Sequence, residues 1–252
     1  MKLFDFTFPS PEENLACDEA LLDRCEENDG EEILRFWESP EYFVVVGYAN
    51  KIATEVNVAN CEMKSIPILR RCSGGGTVLQ GKGCLNYALI LRITENSPLA
   101  SISSANQFVM ERNRQAIESI LPNSRLPSAN CKILLRGHTD LAINHQPSTI
   151  NKFSGNSQRR RKNFLLFHGT FLLDFNLALV GQFLQMPSKQ PDYRKERSHD
   201  NFLANLNLPA DDVKNAMQKT WKVNLPLKNP PLGKISELAK EKYSTHEWNW
   251  KF

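Results

Sequence analysis

Between residues 11 and 27 the sequence opens on Pro11 and acids, then sets Leu15, Ala16, Ala20, Leu21 and Leu22 at helical spacing. That pattern predicts an amphipathic helix near the N-terminus. Two β-type runs follow at 33–37 and 42–48, parted by Ser39-Pro40. Phe43-Val44-Val45-Val46 is apolar without alternation, so that strand is expected to be buried on both faces. A strand over 66–71 runs into a glycine-rich turn, Ser73-Gly74-Gly75-Gly76, and strands are expected again over 77–79 and 85–93. Residues 101–121 read as a long helix with Phe108, Ile117 and Ile120 inward. A hairpin is expected from 140–144 and 151–153 about the polar loop His145-Gln146-Pro147-Ser148. Residues 164–175 form an apolar strand interrupted by His168-Gly169-Thr170.

The last third changes character. Residues 177–184, 200–206, 210–221 and 234–241 carry helical patterning punctuated by Pro and Lys, and no internal repeat or low-complexity tail is present. The expectation is one α+β domain over 1–252, strand-rich to about 175 and helical from 176 onward. A chain of 252 residues can bury a sizeable core. With 41% hydrophobic and 23% charged residues it reads as a soluble globular protein. A net charge of +3 argues against nucleic acid or membrane as the main partner. No run of about 18 apolar residues predicts a membrane span, and the early acid in Met1-Lys2-Leu3-Phe4-Asp5 does not suit a signal peptide. Cysteines at 17, 25, 61, 72, 84 and 131 form no Cys-x-x-Cys pair, so no metal held by protein ligands is expected. Reduced thiols and a cytoplasmic location are the simplest expectation.

Three stretches carry candidate chemistry. In Arg70-Arg71-Cys72-Ser73-Gly74-Gly75-Gly76-Thr77, glycines let backbone N–H groups approach a ligand, and two arginines can neutralise a carboxylate or phosphate. The bland alternative is a tight turn beside a solvated arginine pair. No Gly-Lys-Ser/Thr follows, so it is not a Walker loop. In the stretch 151–160, Lys152 precedes Phe153 and a Ser154-Gly155 break; it is either a solvated strand residue or a point charge facing the glycine loop. His168 in an apolar strand is more often structural than a base, while Gly169 beside it suggests close approach of a backbone or ligand.

Together these stretches resemble the lipoate–protein ligase and octanoyltransferase family. Residues 70–78 look like the family's RRxSGGGxV signature, and residues 152–159 resemble its K-x-[SA]-G-[SN]-[AS]-x-R segment. His168-Gly169-Thr170 with Leu172-Leu173 is similar to its HGT-x-LL strand, and Gly137-His138-Thr139-Asp140-Leu141 to its G-x-x-D-[LI] element. The resemblance implies the biotin/lipoate ligase catalytic fold, a mixed, largely antiparallel sheet flanked by helices. It implies that Lys152 contacts both acyl carboxylate and nucleotide, and that Arg71 and Gly76-Thr77-Val78-Leu79 line an adenylate site. Asp140 would lie in the wall of that site, with Arg70, Ser73, Gly74, Gly75, Ser154, Gly155, His168, Gly169 and Thr170 contributing through their motifs. One departure is that the family's His-Asp-x-Gly-Asn after the loop is replaced here by Gln80-Gly81-Lys82-Gly83-Cys84. Larger ligases also carry a C-terminal accessory domain, for which the stretch after 185 is too short, so a separate accessory chain is a conceivable partner.

Three functions follow from the resemblance. The leading one is a ligase that uses ATP with Mg and lipoate or octanoate, forms acyl-AMP, and passes the acyl group to a carrier lysine. The carriers implied are lipoyl domains of 2-oxoacid dehydrogenases or glycine-cleavage H-type proteins. The second is an ATP-independent transferase with a cysteine thioester, for which Cys131, then Cys84 and Cys72, are the candidates. The third is a non-catalytic acyl-adenylate sensor, disfavoured because Lys152 and the whole glycine loop are present.

Overall fold

The computed structural model describes residues 1–28, 30–121, 131–146, 149–187 and 189–252. Its strands are β1 (Lys2–Asp5), β2 (Ile33–Trp37), β3 (Phe43–Val46), β4 (Ile68–Arg70), β5 (Val78–Gln80), β6 (Cys84–Arg92), β7 (Lys132–Arg136), β8 (Asp140–Gln146), β9 (Thr149–Arg160), β10 (Phe164–Leu172) and β11 (Leu225–Pro226). The helices are α1 (Pro11–Asn28), α2 (Ile52–Glu55), α3 (Val58–Met63), α4 (Ile102–Glu118), α5 (Val180–Phe183), α6 (His199–Phe202), α7 (Ala210–Thr220), α8 (Leu232–Leu238) and α9 (His246–Asn249). Eight strands make one sheet in the order β11-β1-β2-β6-β10-β9-β8-β7, and a second sheet runs β4-β3-β5. In the large sheet β1 is parallel to β2 and to β11, and the other pairings are antiparallel. The architecture is the mixed, largely antiparallel sheet flanked by helices that the sequence implies.

Side-chain alternation decides which layer meets which. From β2, Leu34 and Phe36 join Leu89, Leu165, Phe167 and Phe153 in a core covered by α4 and α7. The intervening Ile33 and Trp37 join Ile90, Phe164 and Leu166 in a second core under α1, α8 and the small sheet. β3 is buried throughout, Phe43 and Val45 facing that second core and Val44 and Val46 a third one beside Phe175, Val180 and Phe183. The expected two-sided burial is thus found. α1 starts at a capping box: Ser10 Oγ accepts from Glu13 N at 3.2 Å, and Glu13 Oε2 accepts from Ser10 N at 3.3 Å.

Other boundaries differ from the sequence expectations. The hairpin arm expected over 151–153 is a twelve-residue strand, β9, which pairs with β8 on one side and β10 on the other. Its loop residues Pro147 and Ser148 lie outside the described residues. The helix expected over 177–184 is a 3₁₀ turn followed by the single turn of α5. The helix expected over 200–206 is only α6. Beyond it the chain extends along the sheet, where Ala204 N donates to Lys152 O at 2.9 Å and Leu206 N to Leu172 O at 2.9 Å. Local helical patterning yields there to acceptors supplied by distant strands.

Candidate active site

Between β4 and β5 the chain makes the glycine loop, and its shape comes from where its carbonyls point. Arg71 donates to Gly74 O and, at 2.8 Å, to Gly76 O, while its Nε reaches Ser73 Oγ at 3.1 Å. Asn50 holds Gly75 O at 3.1 Å, Ser157 Oγ holds Gly74 O at 2.9 Å, and Arg159 Nη1 holds Cys72 O at 2.6 Å. With those carbonyls drawn inward, the amides of Gly74, Gly75 and Gly76 donate to no described residue. Gly75 sits at φ +86°, a left-handed conformation that needs glycine. A Cβ at Gly74 or Gly76 would meet nothing within 4 Å, so the loop opens on free space.

The arginines serve differently from the sequence expectation. Arg70 is fully buried, and its Nη1 donates to Gly47, Tyr48 and Asn50 carbonyls while its Nε donates to Asn249 O at 3.1 Å. It braces the neighbouring loop and the C-terminal helix rather than facing a ligand. Arg71 is also committed to carbonyls, and burial lowers its guanidinium to about 10. The free amides of the loop present partial positive charge without a side chain.

Lys152 reaches the same face through a β-bulge. β8 and β9 pair Leu141 with Ser154 but Ala142 with Lys152, leaving Phe153 extra. The bulge lets Phe153 turn into the core while the Lys152 ammonium lies over Gly155, where a Cβ would come within 2.9 Å of Nζ. Ser157, two residues on, holds Gly74 O, so Lys152 and the glycine loop flank one stretch of β9. Lys152 Nζ pairs with Asp140 Oδ1 at 2.7 Å, and Tyr193 Oη donates to Asp140 Oδ2 at 2.8 Å. Burial, then the Asp140 charge, push the Tyr193 hydroxyl up, so it remains a donor. Asp140 is fixed by the turn before β8: Asn156 Nδ2 donates to Thr139 O and Thr139 Oγ1 to Asn156 O, both at 2.7 Å. Ser154, almost fully buried, accepts from Asn156 and is part of this scaffold. A cleft of about 250 Å³ opens beside Asp140, between α4 and the turn carrying His138.

His168 lies opposite Ser157 on β10. Its Nε2 is 2.6 Å from Ser73 Oγ and its Nδ1 is 2.8 Å from Asp18 Oδ2, while Asp18 Oδ1 accepts from Arg35. Burial opposes the Asp18 charge, but Arg35 and the His168 hydrogen bond outweigh it and hold the carboxyl below its ordinary value. Thr170, two residues along, accepts from Gln80 and donates to Asn86, and Gly169 lies against the Asn156 side chain. Of the remaining motif residues, Thr77 ends the loop, Val78 packs toward the second core and Leu79 belongs to the third.

The structure therefore gathers the glycine loop, Lys152, Gly155, Asp140 and His168, and leaves Arg70, Ser154 and Leu79 as supports. Sequence reading missed Asp18, Arg35, Asn156 and Tyr193. A signal existed for the first two: an acid on the apolar face of α1 and an arginine inside Ile33-Leu34-Arg35-Phe36-Trp37 are charges that must be paired once buried. Among the cysteines, Cys84 and Cys72 are buried, and burial pushes both thiols up (Cys72 to about 12), which disfavours the nucleophilic thiolate form. Cys131 is half-buried beside β7.

A family model, the lipoyl protein ligase A/B catalytic domain, matches residues 10–222. The octanoyltransferase LipM of Halalkalibacterium halodurans is 26% identical over 267 aligned positions, covering 96% of this chain and 95% of that protein. The probable lipoate-protein ligase A of Mycoplasma genitalium is 27% identical, covering 99% of this chain and 72% of that protein. A bi-partite lipoate protein ligase of Thermoplasma acidophilum, described with its E2 lipoyl domain, superposes with a TM-score of 0.80 at 23% identity, covering 99% of this chain and 95% of that one. At that identity the structural likeness speaks for the fold alone.

Proposed function

The chain belongs to the lipoyl protein ligase A/B catalytic-domain family, and from that premise we propose that it attaches a lipoyl or octanoyl group to a lysine of a lipoyl carrier domain through an acyl-AMP intermediate. The carboxylate of lipoate or octanoate attacks the α-phosphate of ATP, supplied with Mg, and pyrophosphate leaves. The carrier amine then attacks the acyl carbon and displaces AMP. Both steps gather negative charge on oxygens, so the enzyme needs fixed donors and a cation where that charge develops. The observation that carries the reading is the bulge in β9, which brings the Lys152 ammonium over Gly155, on the stretch of strand whose Ser157 holds the Gly74 carbonyl of the loop carrying the free amides of Gly74–Gly76. Asp140 keeps Lys152 in place until an acyl phosphate competes for it.

A second reading is ATP-independent transfer through a thioester on Cys131, with octanoyl carried in on another protein. One observation favours it: a relative 26% identical over 96% of this chain is named an octanoyltransferase. The test is to incubate the protein with a lipoyl domain, ATP, Mg and lipoate or octanoate, omit each in turn, and read the carrier mass. The same is done with an octanoyl thioester in place of acid and ATP. The ligase reading expects mass gain only with ATP and free acid. Gain only from the thioester, lost in Cys131→Ser, sinks it and promotes the transferase. The expected carriers are the lipoyl domains of 2-oxoacid dehydrogenases or H-type proteins, and a separate accessory chain is needed if adenylation fails while transfer from preformed acyl-AMP succeeds.

A further inference from the structure

Charge is unevenly spread along this chain. Residues 1–70 hold 15 Asp and Glu against 6 Lys and Arg, a net of −9, which leaves 13 acids against 25 bases, a net of +12, for residues 71–252. The fold lays that asymmetry along β9. At the end of β9 that turns into β10, α1 presents Asp23 to Arg161 and Glu26 to Asn163. Towards the other end lies the opening of the site, and its rim is basic. β7 supplies Lys132 and Arg136, and residues 189–200 supply Lys189, Arg194, Lys195 and Arg197 against Asp192, Glu196 and Asp200. Arg136 pairs with Asp140 across β7 and β8, so by alternation Arg136 and Lys132 stand on the face that carries Asp140. The two stretches make one surface. A Cβ at Gly137 would lie 3.4 Å from Pro191, 3.5 Å from Asp140 Oδ2 and 3.9 Å from Tyr193, and Arg197 Nη2 donates to Ile150 O at 2.8 Å, two residues before Lys152.

Arg194 and Arg197 are committed to carbonyls and to the Phe202 ring. Lys132, Arg136, Lys189 and Lys195 are exposed, and none of them forms an ion pair with a described residue. They stand on the side where the site is open: Gly74–Gly76, Gly137 and His138 are exposed there, whereas Asp18, Arg35 and Arg71 are buried. The cleft of about 250 Å³ beside Arg136 reaches Asp140, whose carboxylate holds Lys152, so cleft and site share a wall. We propose that this basic rim is the docking surface for the acceptor domain, which meets it with an acidic face while its lysine reaches the acyl group held at Lys152. This rests on the acyl-transfer reading and not on whether the donor is an adenylate or a thioester. Rim charges steer the encounter and fix its orientation without tightening a complex that must part after each turnover. A carboxylate seated in the cleft would meet the Arg136 guanidinium, whose hydrogen bond in this chain is to the adjacent Leu135 O at 3.3 Å. A protein suits the rim better than a polyanion, because Asp192, Glu196 and Asp200 interrupt the cations, and nucleic acid or anionic membrane gains from an unbroken field.

The test separates docking from chemistry. Full-length wild type, Arg136→Glu, Lys195→Glu and the double variant are given a lipoyl domain and either octanoyl-AMP or an octanoyl thioester. Lys162→Glu makes the same change of charge at the other end of β9, about 20 Å from Gly155 along the strand, and is the control. Each single reversal is expected to raise KM for the domain about tenfold and the double variant about fiftyfold, with kcat within about twofold, while Lys162→Glu moves neither. Raising salt from about 50 to about 300 mM should raise the wild-type KM and narrow its gap to the variants. Fluorescence anisotropy of a labelled lipoyl domain reads docking without turnover and should lose affinity in the same order. A non-hydrolysable acyl-adenylate analogue should bind every variant within about twofold of wild type. A KM unmoved by the reversals, an equal rise in Lys162→Glu, or a parallel loss of analogue affinity overturns the docking surface. So does binding to vesicles of anionic phospholipid that Arg136→Glu abolishes while KM for the domain stays constant. Wild type that binds the domain through the rim yet transfers nothing from either donor overturns acyl transfer and leaves the docking surface standing.

Discussion

At the residue scale the two ion pairs of the site carry different duties. Lys152 and Asp140 remain partly open to solvent, with side-chain exposures of 26% and 12%, so Lys152 can exchange its partner for a substrate anion. Lys152→Ala is expected to fold normally and to slow transfer to the carrier about a hundredfold or more, the range seen when one stabilising charge is deleted; initial rates with a lipoyl domain check this. Asp18 and Arg35 are closed off, and their pair is a matter of stability. The folded Asp18 carboxyl lies below its ordinary value, so it contributes stability at pH values above the unfolded value of about 3.9 and loses it as pH falls through the folded one. Asp18→Asn should lower stability at neutral pH by about 3 kcal/mol or more, because Arg35 is left buried without a counter-charge. It should also flatten the acid limb of a plot of urea midpoint against pH, and an unchanged limb would assign that limb to other carboxylates. Sequence reading found Lys152 from its motif but not Asp18, since its partners Arg35 and His168 lie 17 and 150 positions away. It also placed Arg70 and Arg71 at a ligand, because an exposed arginine pair and one that shapes a loop from beneath read identically in one dimension.

Among elements, strand length and pairing decide what each motif can do. The large sheet was legible where patterning was pure: β2, β3, β6 and β10 sit within one to three residues of the expected ends. β9 was not, because Asn151, Lys152, Ser154 and Gly155 are weak strand formers taken into the sheet by ladders on both sides. One buried network joins that strand to the helical layer. Trp221 Nε1 donates to Asn113 Oδ1 at 2.9 Å, Asn113 Nδ2 to Tyr87 Oη at 2.7 Å, and Tyr87 in turn to Asn156 of β9. Burial keeps the Tyr87 hydroxyl protonated and thus a donor. Asn113→Ala leaves the Trp221 N–H without its acceptor, at a cost of about 1–3 kcal/mol. Chemical denaturation followed by tryptophan fluorescence is expected to show that loss, while Asn113→Leu costs as much because it too lacks an acceptor.

For the whole molecule the question is what holds the glycine loop rigid. Residues 223–252 fall outside the 10–222 matched by the family, yet they close on the back of that loop. β11 extends the sheet beside β1. Beyond α8 a π-helical turn brings Lys242 and Tyr243 onto the buried Glu19, at 2.6 and 2.8 Å, and Glu19 sits 4.0 Å from Arg159, the residue that holds Cys72 O. α9 then clasps β4: Trp248 Nε1 donates to Arg70 O and Arg70 N donates to Asn249 Oδ1, both at 2.8 Å. The sequence showed helical patterning here but no duty, because these contacts reach across about 180 positions. Asn249→Ala tests the clasp. It removes the acceptor of a buried backbone N–H in the residue before Arg71, and also the donor to Tyr243 O that fixes α9 itself. A destabilisation of about 1–3 kcal/mol is expected from the unsatisfied amide. If the clasp also sets the loop, affinity for an acyl-adenylate analogue should fall with it, since in the proposed function the amides of Gly74–Gly76 would face the anion only while their carbonyls stay turned inward. Measured by calorimetry well below the melting temperature, lost stability with unchanged analogue affinity would show that the C-terminal segment supports the fold and leaves the loop to Arg71, Asn50, Ser157 and Arg159.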